Sequence, residues 1–83
     1  MKIKLCAQWQ ASSFGYVIGR VWVENEAGQM LMNDEDMYYS EEKFWLYIRK
    51  TFIKNKRFAW DRPAVYYKRS QLLEVTGADL KER

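Results

Sequence analysis

The sequence has no histidine, one cysteine, one proline and four glycines among its 83 residues. Without histidine it lacks the commonest general base and the commonest metal ligand. With one cysteine it cannot form an internal disulfide, which excludes the disulfide-stabilised class of small secreted domains. Cys6 lies among apolar neighbours of a predicted strand, so we expect an inert, buried thiol. No apolar run reaches the length of a membrane span and no signal-peptide pattern is present. We therefore expect one cytoplasmic domain over residues 1–83.

These absences also argue against catalysis. No serine or cysteine has a histidine to activate it. Three acids are adjacent at positions 34–36, but an EF-hand loop needs acids at alternating positions and a central glycine. Gly15 and Gly19 are not followed by the residues of a phosphate-binding loop. We expect a protein that is not an enzyme and has no cofactor and no metal.

The periodicity of the sequence predicts an α+β fold. Alternating or β-branched segments predict strands at residues 2–10, 14–24, 29–32, 57–60 and 64–68. Ser40, as N-cap before two acids, predicts a helix over residues 40–54. Residues 69–75 fit either a strand or a short helix, and residues 78–83 are expected to form a frayed tail. The predicted domain is an antiparallel sheet of three to five strands packed against one main helix, in the order β-β-β-α-β-β. The predicted core comprises Ile3, Leu5, Ala7, Val17, Val21, Val23, Leu31, Phe44, Ile48, Phe52 and Val65.

The net charge of +3 conceals a sharp asymmetry. Residues 24–42 contain seven acids and no base, whereas residues 43–69 contain nine bases and one acid. The sequence is also 17% aromatic, which is more than so small a core needs, and aromatic residues and methionine are enriched in protein interfaces. We call residues 34–42 the acidic-aromatic segment and predict that it binds a basic groove of a partner, unless its acids are merely solvated. The candidate partner-binding residues are Asp34, Glu35, Asp36, Met37, Tyr38, Tyr39, Glu41 and Glu42.

An alternative interpretation is an OB-like module that binds single-stranded nucleic acid. The predicted element order is also that of the OB-fold, and single-strand binding uses aromatic faces interleaved with bases. The candidate residues are Tyr16, Arg20, Trp22, Trp60, Arg62, Tyr66 and Lys68. Trp9 followed by Gly15 and Tyr16 resembles the first two strands of cold-shock domains, a resemblance that implies RNA or single-strand binding. The acids of residues 24–42 oppose it, because they repel phosphates.

The sequence resembles a class of proteins in four features: its small size, the absence of histidine, three leading strands over residues 2–32 and a single charged helix over residues 40–54. This class comprises small phage-encoded inhibitors of host machinery, including anti-CRISPR proteins. The resemblance implies a viral protein that blocks a host nucleoprotein complex by stoichiometric binding. Leu46 and Ile53 form a second apolar edge of the predicted helix, so either a monomer or a homodimer fits the sequence.

Overall fold

The computed structural model describes residues 2–60 and 73–81. It contains five strands, β1 (Lys2–Ala11), β2 (Val17–Asn25), β3 (Met30–Tyr38), β4 (Phe58–Trp60) and β5 (Leu73–Leu80). One helix, α1 (Glu41–Ile48), continues as a π-helical segment over Arg49–Ile53. The strands form one sheet in the order β3-β2-β1-β5-β4, and every pair of neighbours is antiparallel. The predicted α+β class, with an antiparallel sheet and one main helix, is confirmed.

The hairpin of β1 and β2 forms the centre of the core. Alternate residues of each strand are buried, and Leu5 faces Val23 while Ala7 faces Val21 across the pair. This period of two places one set of side chains under the helix and the other set on the opposite face of the sheet. Cys6 belongs to the second set and is buried as expected, at 2% exposure.

Strand β3 differs from its prediction. It was expected to end at Met32, but it continues through the acidic run to Tyr38. An edge strand has one solvated side, so its acids need no burial and the strand is held by pairing with β2. Leu31, predicted to be in the core, is 44% exposed. The reason is a register shift, since Met32 pairs with Val23 and Met30 with Glu24, which leaves Leu31 as the extra residue of a bulge.

Helix α1 begins as predicted. The Ser40 hydroxyl accepts a hydrogen bond from the Lys43 backbone N–H at 3.3 Å, which satisfies one of the helix's unpaired donors. The predicted apolar stripe is buried against the sheet, and it consists of Phe44, Trp45, Ile48 and Phe52. Residues 49–53 are π-helical, a difference from the regular helix expected over residues 40–54.

The carboxyl-terminal strand was not predicted in its observed place. Residues 78–83 were expected to fray, yet β5 extends to Leu80, and Ala78 is fully buried opposite Ile3. The sequence did not predict this strand because Gly77 and the charged Asp79 and Lys81 are atypical of strands. The predicted strand 64–68, Val65 of the predicted core and residues 69–72 lie outside the described residues. Within the described ranges, no helix is long and apolar enough to cross a membrane.

Candidate functional site

Strand β3 places the acids of the acidic-aromatic segment on both faces of one sheet edge. Asp34 pairs with Val21 and Asp36 with Gly19, so both belong to the face that the helix covers. Glu35 pairs with Arg20 on the face opposite the helix. Among residues 2–60 and 73–81, β3 pairs with β2 alone. The acids therefore line an edge whose other side is not occupied by any described strand.

One of these acids also has a structural role. The Tyr47 hydroxyl, on helix α1, donates a hydrogen bond to the Asp34 carboxylate. The rings of Tyr38 and Tyr47 lie 5.7 Å apart, and the Tyr38 ring lies 5.1 Å from that of Phe44. This cluster fixes the end of β3 to the helix, so Asp34 and Tyr38 are less accessible to a partner than their neighbours.

The tyrosines of this cluster are held in their protonated form. Burial, aided by the charges of Asp34 and Asp36, raises the pKa of Tyr38 to about 12. Burial, followed by the hydrogen bond to Asp34, also raises the pKa of Tyr47. Both phenols are therefore hydrogen-bond donors at neutral pH and not nucleophiles or bases.

The remaining acids of the segment are accessible. Glu35, Asp36 and Glu42 are exposed, and Glu41 is half-exposed in the first turn of α1. The ion pairs found between described residues, Lys2 with Asp79 and Lys4 with Glu24, involve none of them. Over the described part of the chain, the acids of β3 and of the helix start form a negative surface that is not neutralised by ion pairs.

Exposed apolar side chains border this surface. Met37 is 66% exposed and Tyr39 is 81% exposed, while the Tyr16 ring lies 6.0 Å from that of Tyr39. Phe14, in the turn between β1 and β2, is 85% exposed. We call Phe14, Tyr16, Met37 and Tyr39 the apolar border. Exposed aromatic and methionine side chains next to charge are typical of protein-binding surfaces.

Sequence reasoning missed Phe14 and assigned Tyr16 to the nucleic-acid set. The prediction placed Phe14 at the start of the strand over residues 14–24, whereas β2 begins at Val17. Phe14 lies in the preceding turn, beside Gly15, whose φ is 84°, and so it does not reach the core. The grouping of Tyr16 with Tyr39 depends on the β2–β3 register and was not visible in the sequence.

Of the four candidate nucleic-acid residues that the structure describes, Arg20 and Trp22 lie together, whereas Trp60 lies on the other face of the sheet. Arg20 lies 4.7 Å from the centre of the Trp22 ring on the face opposite the helix, and its Nε donates to the Asn33 side-chain oxygen at 3.0 Å. Trp60 lies on the helix-covered face, where its indole N–H donates to the Phe52 carbonyl at 3.2 Å. The other three members, Arg62, Tyr66 and Lys68, are outside the described residues.

The acids beside Arg20 and Trp22 also argue against nucleic-acid binding by these two residues. Arg20 pairs across the strands with Glu35, and the Trp22 indole N–H donates to the Glu24 carboxylate at 3.0 Å. A groove of about 200 Å³ beside them is lined by Gln8, Gln10, Arg20 and Glu35, among others. Because Glu24 is also ion-paired with Lys4, the described charges around Arg20 and Trp22 balance and form no basic patch for a phosphate backbone.

No group of three or more acids or cysteines in the described part of the chain is arranged to hold a metal ion. Comparisons of the chain with protein-family models, with curated proteins and with solved structures found no match.

Proposed function

We propose that this protein is a non-catalytic inhibitor or adaptor that binds another protein through the acidic-aromatic segment. The observation that carries the proposal is the coincidence of unpaired acids and exposed apolar side chains along one sheet edge. Glu35 and Asp36 lie within β3, and Met37 and Tyr39 lie at its end. Acids attract a basic surface and steer its approach, while the apolar border supplies area that gains from leaving water.

The partner surface that fits this edge is basic. A basic groove on a protein is often one that holds nucleic acid, and acids in the place of phosphates would exclude that ligand. The proposed action is therefore stoichiometric blockade of a nucleoprotein complex. It agrees with the resemblance to small phage-encoded inhibitors, including anti-CRISPR proteins.

The size of the surface supports a role in binding. A standard interface takes about 800 Å² from each partner, and the described chain exposes 6038 Å². Such an interface would cover only a small fraction of the exposed surface. The apolar border and the acids of β3 together can supply its centre and its rim.

The test is a comparison of two charge reversals of equal size. Glu35→Lys with Asp36→Lys changes two exposed acids of β3. The control, Glu26→Lys with Asp79→Lys, makes the same change in net charge in the β2–β3 loop and on β5, outside the acidic-aromatic segment, and also removes the ion pair of Asp79 with Lys2. The tagged variants are used to capture partners from a lysate of the host cell, and the captured proteins are compared by mass spectrometry.

We expect the β3 variant to lose capture of a protein that both wild type and control retain. Circular dichroism should show that both variants are folded. The captured protein should also lose its bound oligonucleotide when wild type is added. Equal capture by the β3 variant and the control would contradict the proposal.

A further inference from the structure

The exposed backbone of β3 indicates how this strand binds its partner. This inference rests on the proposed function. Strand β3 has nine residues, and one of its sides pairs with β2 along its length. In the described ranges, no strand pairs with the other side. An edge of this length presents a row of N–H and C=O groups to which a further strand can add.

The orientation of these groups follows from one hydrogen bond. The Met37 backbone N–H bonds the Asp36 carboxylate at 2.8 Å, which indicates that this amide faces away from β2. The N–H and C=O groups of successive residues point to alternate sides of a strand. The peptide groups of Asn33, Glu35 and Met37 therefore lie along the outer side of the edge.

The negative charge of the β3 edge determines which kind of strand can pair with it. If a second copy paired with β3 in antiparallel register about Glu35, Asp34 of each copy would lie opposite Asp36 of the other. Like charges directly opposite each other in a sheet are destabilising. A basic segment would instead place a cation opposite each acid, so charge complementarity favours a basic strand over a second copy of this chain.

The ends of the strand add apolar contacts. At one end Met30, Leu31 and Met32 are 46%, 44% and 42% exposed, and at the other end Met37 is 66% exposed. A strand with lysine or arginine at its centre and apolar residues at its ends would match this order of side chains.

We propose that an extended lysine- or arginine-rich segment of the partner adds to β3 as a further antiparallel strand. Every strand pair in the sheet is antiparallel, and an antiparallel addition continues this pattern. The backbone of Asn33 and Glu35 pairs with the segment, and that of Met37 does so once its N–H leaves the Asp36 carboxylate. The alternate basic side chains of the segment lie on the helix side of the edge, where the exposed carboxylate is that of Asp36 and Asp34 stays bonded to Tyr47.

The probe is a nine-residue peptide in which lysine alternates with valine, with both ends blocked. Alternation places all lysines on one face of a strand, to match the face of β3 on which Asp36 is exposed. A second peptide carries N-methyl groups on its valine amides, which retains every charge and removes the donors that would pair with β3. A third peptide replaces lysine by glutamate.

We expect saturable binding of the first peptide in a calorimetric titration, and no binding of the other two. In NMR spectra, the amide protons of Asn33, Glu35 and Met37 should shift and exchange more slowly with solvent. Glu35→Gln with Asp36→Asn should weaken binding about tenfold. The control, Glu26→Gln with Asp79→Asn, should leave it unchanged.

The outcomes separate this inference from the proposed function. Equal binding of the N-methylated peptide, or no binding of the first peptide, would overturn strand addition while leaving partner capture through the acids intact. Self-association through β3 in sedimentation experiments would overturn the choice of occupant. Undiminished partner capture by the charge-reversed β3 variant would overturn the proposed function itself.

Discussion

The two edges of the sheet differ in charge and in the packing of their side chains. Along β3, Glu35 and Asp36 are exposed and Met37 is 66% exposed. At the opposite edge, Phe58 and Trp60 of β4 are half-buried, and the rings of Phe52 and Phe58 lie 6.2 Å apart. Charged side chains prevent an edge strand from pairing indiscriminately, and so does burial of the edge. Protection by charge, however, still leaves the edge open to a strand of the opposite charge.

Three exposed bases lie in the chain immediately before the β4 edge. Exposed Lys54, Lys56 and Arg57 follow the π-helical segment and precede β4. The helix begins beside the end of β3 and finishes near β4, so the change of sign along the chain at residues 42–43 becomes a separation of charge across the sheet. This difference between the edges can be tested through the helix that spans them, through the tyrosine cluster, and through the bases themselves.

The largest effect on stability is expected from a substitution of Gly19, on which the Phe44 ring of the helix packs closely. A Cβ atom at this position would overlap the Phe44 ring, which is fully buried. Gly19→Ala should therefore lower the free energy of unfolding by about 2 kcal/mol, since overpacked cores typically lose 1–3 kcal/mol. Urea denaturation followed by tryptophan fluorescence measures this change.

The control for Gly19 is the double variant with Phe44→Leu. A smaller side chain gives the new methyl group room, so the combined loss should be smaller than the sum of the two single losses. Simple additivity would show that the glycine is required for another reason.

The helix and the central hairpin were predictable from local patterns. Ser40 with the following acids marks the helix start, and the spacing of Phe44, Ile48 and Phe52 marks its buried face. Strands β1 and β2 alternate between buried and more exposed residues, with buried Cys6 as the exception. These signals depend on residues that are neighbours in the chain or one turn apart.

The rest depended on tertiary pairing. Residues 33–36 have no hydrophobic alternation, so only their register with β2 shows that they form a strand. Residues 78–80 likewise become a strand because β1 supplies their partners. The block of acids in the sequence predicted the acidic-aromatic segment. The sequence did not show that Asp34 and Tyr38 are anchored by contacts with the helix, whereas Glu35 and Asp36 are accessible.

An intermediate effect is expected from the tyrosine cluster that anchors β3. Tyr47→Phe removes the hydrogen bond to Asp34 and should cost about 1 kcal/mol in unfolding free energy at pH 8, because the pair is partly buried. Amides of β3 should exchange faster in this variant, and those of β4 should be unaffected. Equal loosening of both edges would contradict a local anchor.

The same cluster predicts alkaline sensitivity. The pKa of Tyr38 is raised by burial from 10.0 to about 12 in the folded protein, so between these values the folded state binds more protons than the unfolded state. The free energy of unfolding should therefore fall as pH rises from 10 to 12. Tyr47, whose pKa is raised in the same direction, adds to this fall. In Tyr47→Phe the decline should be shallower than in wild type, as measured by urea titrations at each pH.

The smallest effect is expected from reversing charges near β4. Lys54→Glu with Lys56→Glu places acids at the carboxyl end of the helical segment, where the dipole disfavours them, at a cost of about 0.5 kcal/mol. The β3 edge lies four strand spacings from β4, about 19 Å, whereas the screening length at physiological ionic strength is about 8 Å. Affinity for the lysine–valine peptide should therefore change less than twofold. An increase as large as the tenfold decrease expected from Glu35→Gln with Asp36→Asn would mean that the net charge of the whole protein, and not the β3 edge, attracts the basic strand.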